Sequence, residues 1–285
     1  MVGLICVLCL VDMWQIDKRY LNDGMFVEKS VRENPIQMTA TDKQILQDKT
    51  ECGNYRVLNF ASNTFSENET SYFHKSLGGY HPAKLRRYQE MIERYIQPQM
   101  QKAMTAIVEA GGDMTKVNGD SIYPVISMLN AKYFVMPLNG GQTVPIMNPY
   151  AYGVAWFVDK VSFVDNANQE MDLMAKIDLR HEAVADKKFA RQIGNATKQD
   201  GNSLVTITSY QPNELTYDVN SDKGGVVVFS EVYYPGWTAT VDGQPVEMGR
   251  VNYILRAINV KPGKHKVVLT FKPVSYTHLR AHETE

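Results

Sequence analysis

Cysteine is scarce in this chain. Only Cys6, Cys9 and Cys52 occur among 285 residues, and the first two lie in an apolar run. No disulfide framework can staple the polar remainder, so its stability must come from core burial. Cys6-x-x-Cys9 has redox or metal spacing, but it sits in a segment suited to lipid. An excess of charge of one sign is also missing. Lys and Arg number 30 against 31 Asp and Glu, a formal net charge of -1. There is no basic field to gather phosphates, which speaks against nucleic acid as a partner. A full-length hydrophobic run is lacking too. Val2 to Val11 (VGLICVLCLV) is uncharged, yet it supplies only about half of the roughly 20 apolar residues a membrane crossing needs. It has no preceding Lys or Arg and no Ala-x-Ala exit, so it does not read as a secretory signal. Absent as well are a phosphate-cradling Gly-rich loop, GxSxG, HExxH, a cysteine cluster of metal spacing and any repeat of 20–50 residues. Nothing calls for a cofactor or a metal.

What is present points to a membrane-attached globular region. Hydrophobic residues make up 44% and charged residues 21% of the chain, ordinary values for a folded core. Residues 1–14 read as the end of a transmembrane helix whose first half is missing. Trp14 and Tyr20 sit beside charge, as a membrane–water interface prefers. Residues 15–150 read as a mixed α/β region. Tyr55–Phe60 alternates like a strand. Leu85, Tyr88, Ile92, Tyr95 and Ile96 recur at helical spacing and predict a helix from about Pro82 to Gln97. Pro98 would open a second helix ending at Gly111-Gly112. A short helix over Tyr123–Asn130 leads to a strand at Lys132–Met136.

Residues 151–273 read as a β-rich domain. Tyr152–Val164 predicts a strand or bent pair, and Gln169–Ala190 is mixed in pattern and expected to be helical. From Ser203 onward short strands alternate with turns: Ser203–Tyr210, Glu214–Val219, Gly225–Tyr234, Trp237–Val241, Asn252–Val260 and His265–Phe271. Asp242-Gly243 is a strong hairpin signal. The whole is expected to be α+β: a helix-containing N-terminal half with a few strands, followed by an antiparallel β-sandwich. Ser275–Glu285 (SYTHLRAHETE) fits nothing before it and resembles translated adapter sequence. It holds His278 and His282.

The densest polar-aromatic segment is Ser71–Tyr88 (SYFHKSLGGYHPAKLRRY). Gly78-Gly79 would let the backbone approach a ligand. His81, Lys84 and Arg87 would share a helix face near its N-terminus, where free N–H groups favour an anion. Tyr80 and Tyr88 could stack on a sugar, and His74 with His81 could hold a metal. The competing reading is a solvated basic face whose arginines pair with Glu90 and Glu93. The segment Tyr233-Tyr-Pro-Gly-Trp237 suits a hydrophobic corner better than a sugar platform. Asp159, Asp165, Asp172 and Asp178 show no spacing that selects an acid–base pair and read as surface charges.

Several stretches together carry a resemblance. They are Val11–Asp23 (VDMWQIDKRYLND), Ser71–His81, Ala83–Gln89 (AKLRRYQ), Met128–Phe134 (MLNAKYF), Ala155–Val158 (AWFV), Tyr233–Gly243 (YYPGWTATVDG) and Pro262–Phe271 (PGKHKVVLTF). From about Gly3 to Pro273 the chain resembles the C-terminal extracytoplasmic region of the bacterial YfhO family of polytopic membrane proteins, in particular members from Bacteroidota. The resemblance implies a multi-span parent in the bacterial cytoplasmic membrane, similar to lipid-dependent glycosyltransferases of the GT-C type. Such proteins move a sugar from a polyprenyl-phosphate carrier to a cell-envelope acceptor. Their catalytic carboxylate sits in an early outside loop, which this sequence does not contain, so no catalytic residue is carried over. The implied partners are a polyprenyl-phosphate-linked sugar or envelope glycan, and the bilayer through the N-terminal helix. The alternative is a non-catalytic glycan- or partner-binding sandwich module. Lys18 and Arg19 would mildly favour the cytoplasm, but long domains cross regardless of nearby charge.

Overall fold

A computed structural model describes residues 2–26, 28–199 and 201–272; the Ser275–Glu285 tail with its two histidines lies outside them. The chain divides into two units between Thr39 and Ala40. The first holds α1 (Val2–Tyr20) and α2 (Lys29–Glu33). No residue of α1 is buried. The helix runs past the apolar stretch through Asp12 and Asp17 to Lys18 and Arg19 in its last turn, where cations oppose the negative end of the helix dipole. The Lys18 ammonium lies 5.4 Å from the Trp14 ring centroid. Among the described residues no helix is long and apolar enough to cross a membrane.

The second unit begins with α3 (Ala40–Ile45), β1 (Arg56–Asn59), α4 (Thr70–Phe73), α5 (Arg86–Met91) and α6 (Gln97–Glu109). The expected pair of helices broken at Pro98 is one helical run, because Ile92–Ile96 forms a π-helical bridge between α5 and α6. Pro98 has no N–H and would press on the carbonyl four residues earlier. Widening the preceding turn, with the Gln97 N–H donating to the Ile92 carbonyl, accommodates the ring without ending the helix. This run buries Met91, Ile92, Tyr95, Ile96, Ala103 and Ile107.

Next come α7 (Gly119–Ile122), α8 (Pro124–Met128), β2 (Ala131–Pro137) and β3 (Thr143–Met147). β2 is central in a three-stranded sheet, parallel to β1 and antiparallel to β3. β4 (Ala155–Val158), β5 (Lys160–Val164), α9 (Ala167–Met174), β6 (Glu182–Asp186) and α10 (Ala190–Ile193) follow. The helix expected over Gln169–Ala190 is thus only partly helical. Ala183, Val184 and Ala185 are buried in β6, which pairs parallel to β5 with α9 as the crossover. So short an apolar run has no periodicity that separates strand from helix.

The remaining strands are β7 (Leu204–Gln211), β8 (Glu214–Ser221), β9 (Gly225–Val232), β10 (Trp237–Val241), β11 (Gln244–Val246), β12 (Gly249–Val251), β13 (Leu255–Val260) and β14 (Gly263–Phe271). They form a five-stranded sheet, β11-β10-β14-β8-β7, and, with β4, a four-stranded sheet, β12-β13-β9-β4. Each of these two sheets is antiparallel, so the expected α+β class holds. The Asp242-Gly243 hairpin has both φ values positive, 52° and 78°, the type I′ turn that matches strand twist.

Strand β9 explains how the parts join. Val227 and Phe229 point into the sandwich core, with Tyr217, Val219, Ile258, Val267 and Leu269. Val226 and Val228 face the opposite way, into a core shared with Leu58, Ile96, Ile126, Phe134, Met171 and Val184. Side chains alternate faces along a strand, and here both faces are covered. One apolar core therefore runs on both sides of residue 150 in sequence and ties the helices to the sandwich.

Candidate functional site

The segment Ser71–Tyr88 is built differently from its sequence expectation. The helix starts at Arg86, not Pro82, because Leu85 is extended (φ -59°, ψ 127°). Pro82 and Ala83 form a turn whose N–H is taken by the side chain just before it: the Ala83 N–H donates to His81 Nδ1 at 3.1 Å. His81 and Lys84 therefore share no helix face with Arg87. Gly78 does approach another group closely, but that group is the chain itself. A Cβ there would lie 1.9 Å from the Thr64 carbonyl oxygen.

The six candidate residues separate into two sets. Tyr80 and His81 are exposed, and the Lys84 ammonium lies 5.6 Å from the Phe65 ring centroid. The other three are engaged in the fold. His74 Nε2 lies 2.9 Å from Asp42 Oδ1, with its side chain buried. The Tyr88 hydroxyl donates to the Leu77 carbonyl at 2.6 Å, and burial pushes its pKa up to about 12. Arg87 stacks on Tyr253 at 4.3 Å and lies 3.8 Å from Glu170. The arginine pairing expected within the helix occurs at Arg86–Glu90, whereas Arg94 reaches Asp172 on α9.

Glu170 is fully buried and holds a junction that local sequence does not reveal. Its Oε1 accepts from the Tyr253 N–H at 2.9 Å, and its Oε2 faces Arg250 at 3.4 Å. Burial raises its pKa, and the two arginines and the N–H oppose that shift. Asn252 and Tyr253 adopt positive φ, 47° and 69°, a strained arrangement for residues other than glycine. The Asn252 side chain helps hold it, accepting from the Val184 N–H at 2.9 Å.

A second set of charges lies where β1 meets the sandwich. Arg56 bonds Glu231 at 3.3 Å, Asn54 donates to the other Glu231 oxygen at 3.1 Å, and Lys75 donates to Asn54 at 2.8 Å. The Lys75 ammonium also sits 3.1 Å from the Tyr210 ring centroid. Burial pushes Lys75 down to about 8, against the pull of Glu231. Burial likewise lowers Arg256 to about 10. Arg256 covers the Trp237 ring at 3.9 Å, and Trp237 packs on Phe271. At the Tyr233–Trp237 corner the tryptophan face is thus occupied, while Tyr234 stays exposed.

An open concavity with converging polar groups lies along the free edges of β4 and β7. It has a volume of about 550 Å³, and its walls include Glu51, Tyr152, Trp156, Asp159, Arg180 and His181. Trp156, half-buried, meets Tyr152 edge to face at 5.1 Å. The Arg180 guanidinium covers the Tyr152 ring at 4.3 Å and donates to the Tyr150 carbonyl at 2.8 Å. Asp159 accepts from the Gln199 N–H at 2.8 Å and faces His181 Nδ1 at 3.3 Å. Glu51 uses Oε2 to accept from Asn130 at 3.2 Å. Sequence reading placed Trp156 on a strand and took Asp159 as a surface charge; it had no signal for Arg180 or Glu51. No group of three or more His, Cys, Asp or Glu able to hold a metal occurs among the described residues.

The family described as "Bacterial membrane protein YfhO" matches residues 114–278, more than half of the chain. The chain belongs to the YfhO family. No curated protein matches it. The YfhO match spans the cleft residues from Tyr152 to Ile207 and both sheets of the sandwich, and it begins C-terminal to the segment that holds Tyr80, His81 and Lys84. Membership places the chain among bacterial membrane proteins.

Proposed function

We propose that this chain is the extracytoplasmic region of a multi-pass parent in the cytoplasmic membrane, which transfers a sugar from a polyprenyl-phosphate carrier to a cell-envelope polymer. In this reading the chain itself is non-catalytic, and the base that activates the acceptor lies elsewhere in the parent. YfhO membership is the observation that carries it. The exposed apolar face of α1, with Leu4, Leu8 and Leu10 uncovered, suits contact with lipid. Tyr80, His81 and Lys84 are the residues offered to a carrier phosphate or sugar, since His74, Arg87 and Tyr88 are engaged in the fold.

Two measurements on the full-length parent test this. Cys52 is exposed, so with Cys6 and Cys9 replaced by Ser a membrane-impermeant maleimide should label it in intact cells. Labelling only after lysis would overturn the outside placement. Deleting the gene should remove a sugar from an envelope polymer, with full restoration by the wild-type gene and weaker restoration by His81→Ala with Lys84→Ala. Equal restoration would remove those two residues from the site. Sugar transfer by the 285-residue chain alone would overturn its non-catalytic role. A second reading, a glycan-binding module with no part in transfer, is favoured by the aromatic cleft.

A further inference from the structure

We infer that the cleft between the free edges of β4 and β7 is a binding site for a neutral pyranose unit of an oligosaccharide. The first support is the composition of its walls. A pyranose has flat patches of C–H bonds and a rim of hydroxyls that both donate and accept. Trp156, half-buried, lines the cleft and is held in orientation by the edge-to-face contact with Tyr152 at 5.1 Å; aromatic rings so braced lose little freedom on contact. Around it stand an acceptor and donors not consumed by the fold. Glu51 Oε1 has no partner among the described residues, since the Asn130 bond goes to Oε2. Among the described residues Arg180 bonds the protein through Nη2, leaving Nη1 and Nε for a ligand.

The strand edges add main-chain groups. β4 is the last strand of its sheet, and the Val154 carbonyl turns inward to accept from the Ser230 N–H at 2.9 Å. By alternation, Ala155 and Phe157 turn their N–H and C=O toward the free edge. On the facing edge the Ile207 carbonyl points out of its sheet, toward Cys52 Sγ at 3.6 Å.

Charge then selects the ligand. Arg180 lies 3.4 Å from Asp120 and His181 lies 3.3 Å from Asp159, so each basic group has a carboxylate of its own. Glu51 has no basic partner among the described residues, and the wall they form is left net negative. A phosphate or a carboxylated sugar would meet that field unfavourably, whereas a neutral ring would not. A cavity of about 550 Å³ is in the range that accommodates small ligands. Gly153 keeps the floor low: its φ is +82°, and a Cβ there would lie 3.1 Å from Glu51 Oε1.

The inference rests on the cleft alone, so it can fail while the transfer reading stands, and the reverse. The test uses the full chain in detergent, with its three tryptophans carrying ¹⁵N in the indole and assigned through Trp14→Phe and Trp237→Phe. Titration with neutral glucose- and N-acetylglucosamine-based trisaccharides should shift the Trp156 indole resonance saturably and leave Trp14 unmoved. Half-saturation is expected at or below about 1 mM, an affinity of roughly 4 kcal/mol. Glu51→Gln and Arg180→Lys should each weaken binding at least about fivefold, with thermal unfolding unchanged for Glu51→Gln, which keeps an acceptor for Asn130. Glucose 6-phosphate should bind at least about tenfold more weakly than glucose at matched ionic strength. No saturable shift with any neutral trisaccharide overturns the inference. So does tighter binding of the phosphorylated sugar, undiminished binding by both variants, or a Trp156 shift produced instead by an extended peptide.

Discussion

Two helical runs in this chain have similar length and opposite fates. α1 places apolar residues all round its first half and buries none of them. The α5–α6 run carries its apolar residues in a stripe, and that stripe is covered by α8, α9, β2 and the four-stranded sheet. What separates them is arrangement. A stripe can face one protein core while the other face stays wet; a uniformly apolar surface finds no such division. Arg87 adds an ionic anchor to the striped run through Glu170.

The largest test of this contrast cuts the ionic anchor. Glu170→Ala leaves Arg87 and the buried Arg250 without their carboxylate and should lower unfolding stability by about 3–5 kcal/mol in denaturant titration. A loss below about 1 kcal/mol would mean that the junction adds geometry and little energy. The next test compares the apolar contacts directly. Ile96→Ala removes a fully buried side chain and should cost about 2–5 kcal/mol. Leu8→Ala, at an exposed position of α1, should change stability by no more than about 0.5 kcal/mol. Instead, Leu4→Ser with Leu8→Ser should reduce partitioning into neutral phospholipid vesicles at least about tenfold. A large stability loss from Leu8→Ala would show that α1 has a protein partner after all.

The smallest effect is a pH slope. Lys75 falls from 10.5 to about 8 in the folded chain, so between those values the unfolded chain binds more protons and stability rises with pH. Tyrosines raised above 10.0, such as Tyr55 and Tyr88, reverse the trend above about pH 10. Stability should therefore climb gently from pH 8 to pH 10, by less than one proton's worth of slope. Lys75→Met should flatten that climb. An unchanged slope in the variant would assign the effect to another group.

Much of the fold is legible locally. The six strands expected from Ser203 onward lie close to their observed positions because alternation, Asp242-Gly243 and Pro262-Gly263 are all short-range signals, whereas the three-residue strands β11 and β12 had no such signal. The helix start at Arg86 was not legible, because a histidine ring captures the Ala83 N–H and no propensity encodes that. β6 was hidden for a related reason: its only evidence is the neighbour it pairs with. Of the candidate site residues, Tyr80 and His81 stand exposed as a ligand-contact reading requires, while His74, Arg87 and Tyr88 are drawn away by Asp42, Glu170 and Leu77. The cleft was invisible, since Glu51, Trp156 and Arg180 are far apart in the chain and no local pattern links them.

Composition and pattern alone determined that this chain needs no disulfide, carries no field for nucleic acid, starts with a helix suited to lipid and folds as α+β with strands from residue 203 onward. These follow from nearest-neighbour chemistry, which is written along the chain. Tertiary structure decided which strand edge stays open, which arginines meet the buried Glu170 and which aromatic side chains line the cleft. Those outcomes depend on groups about 80–180 residues apart, brought together only when both faces of β9 are covered by apolar cores.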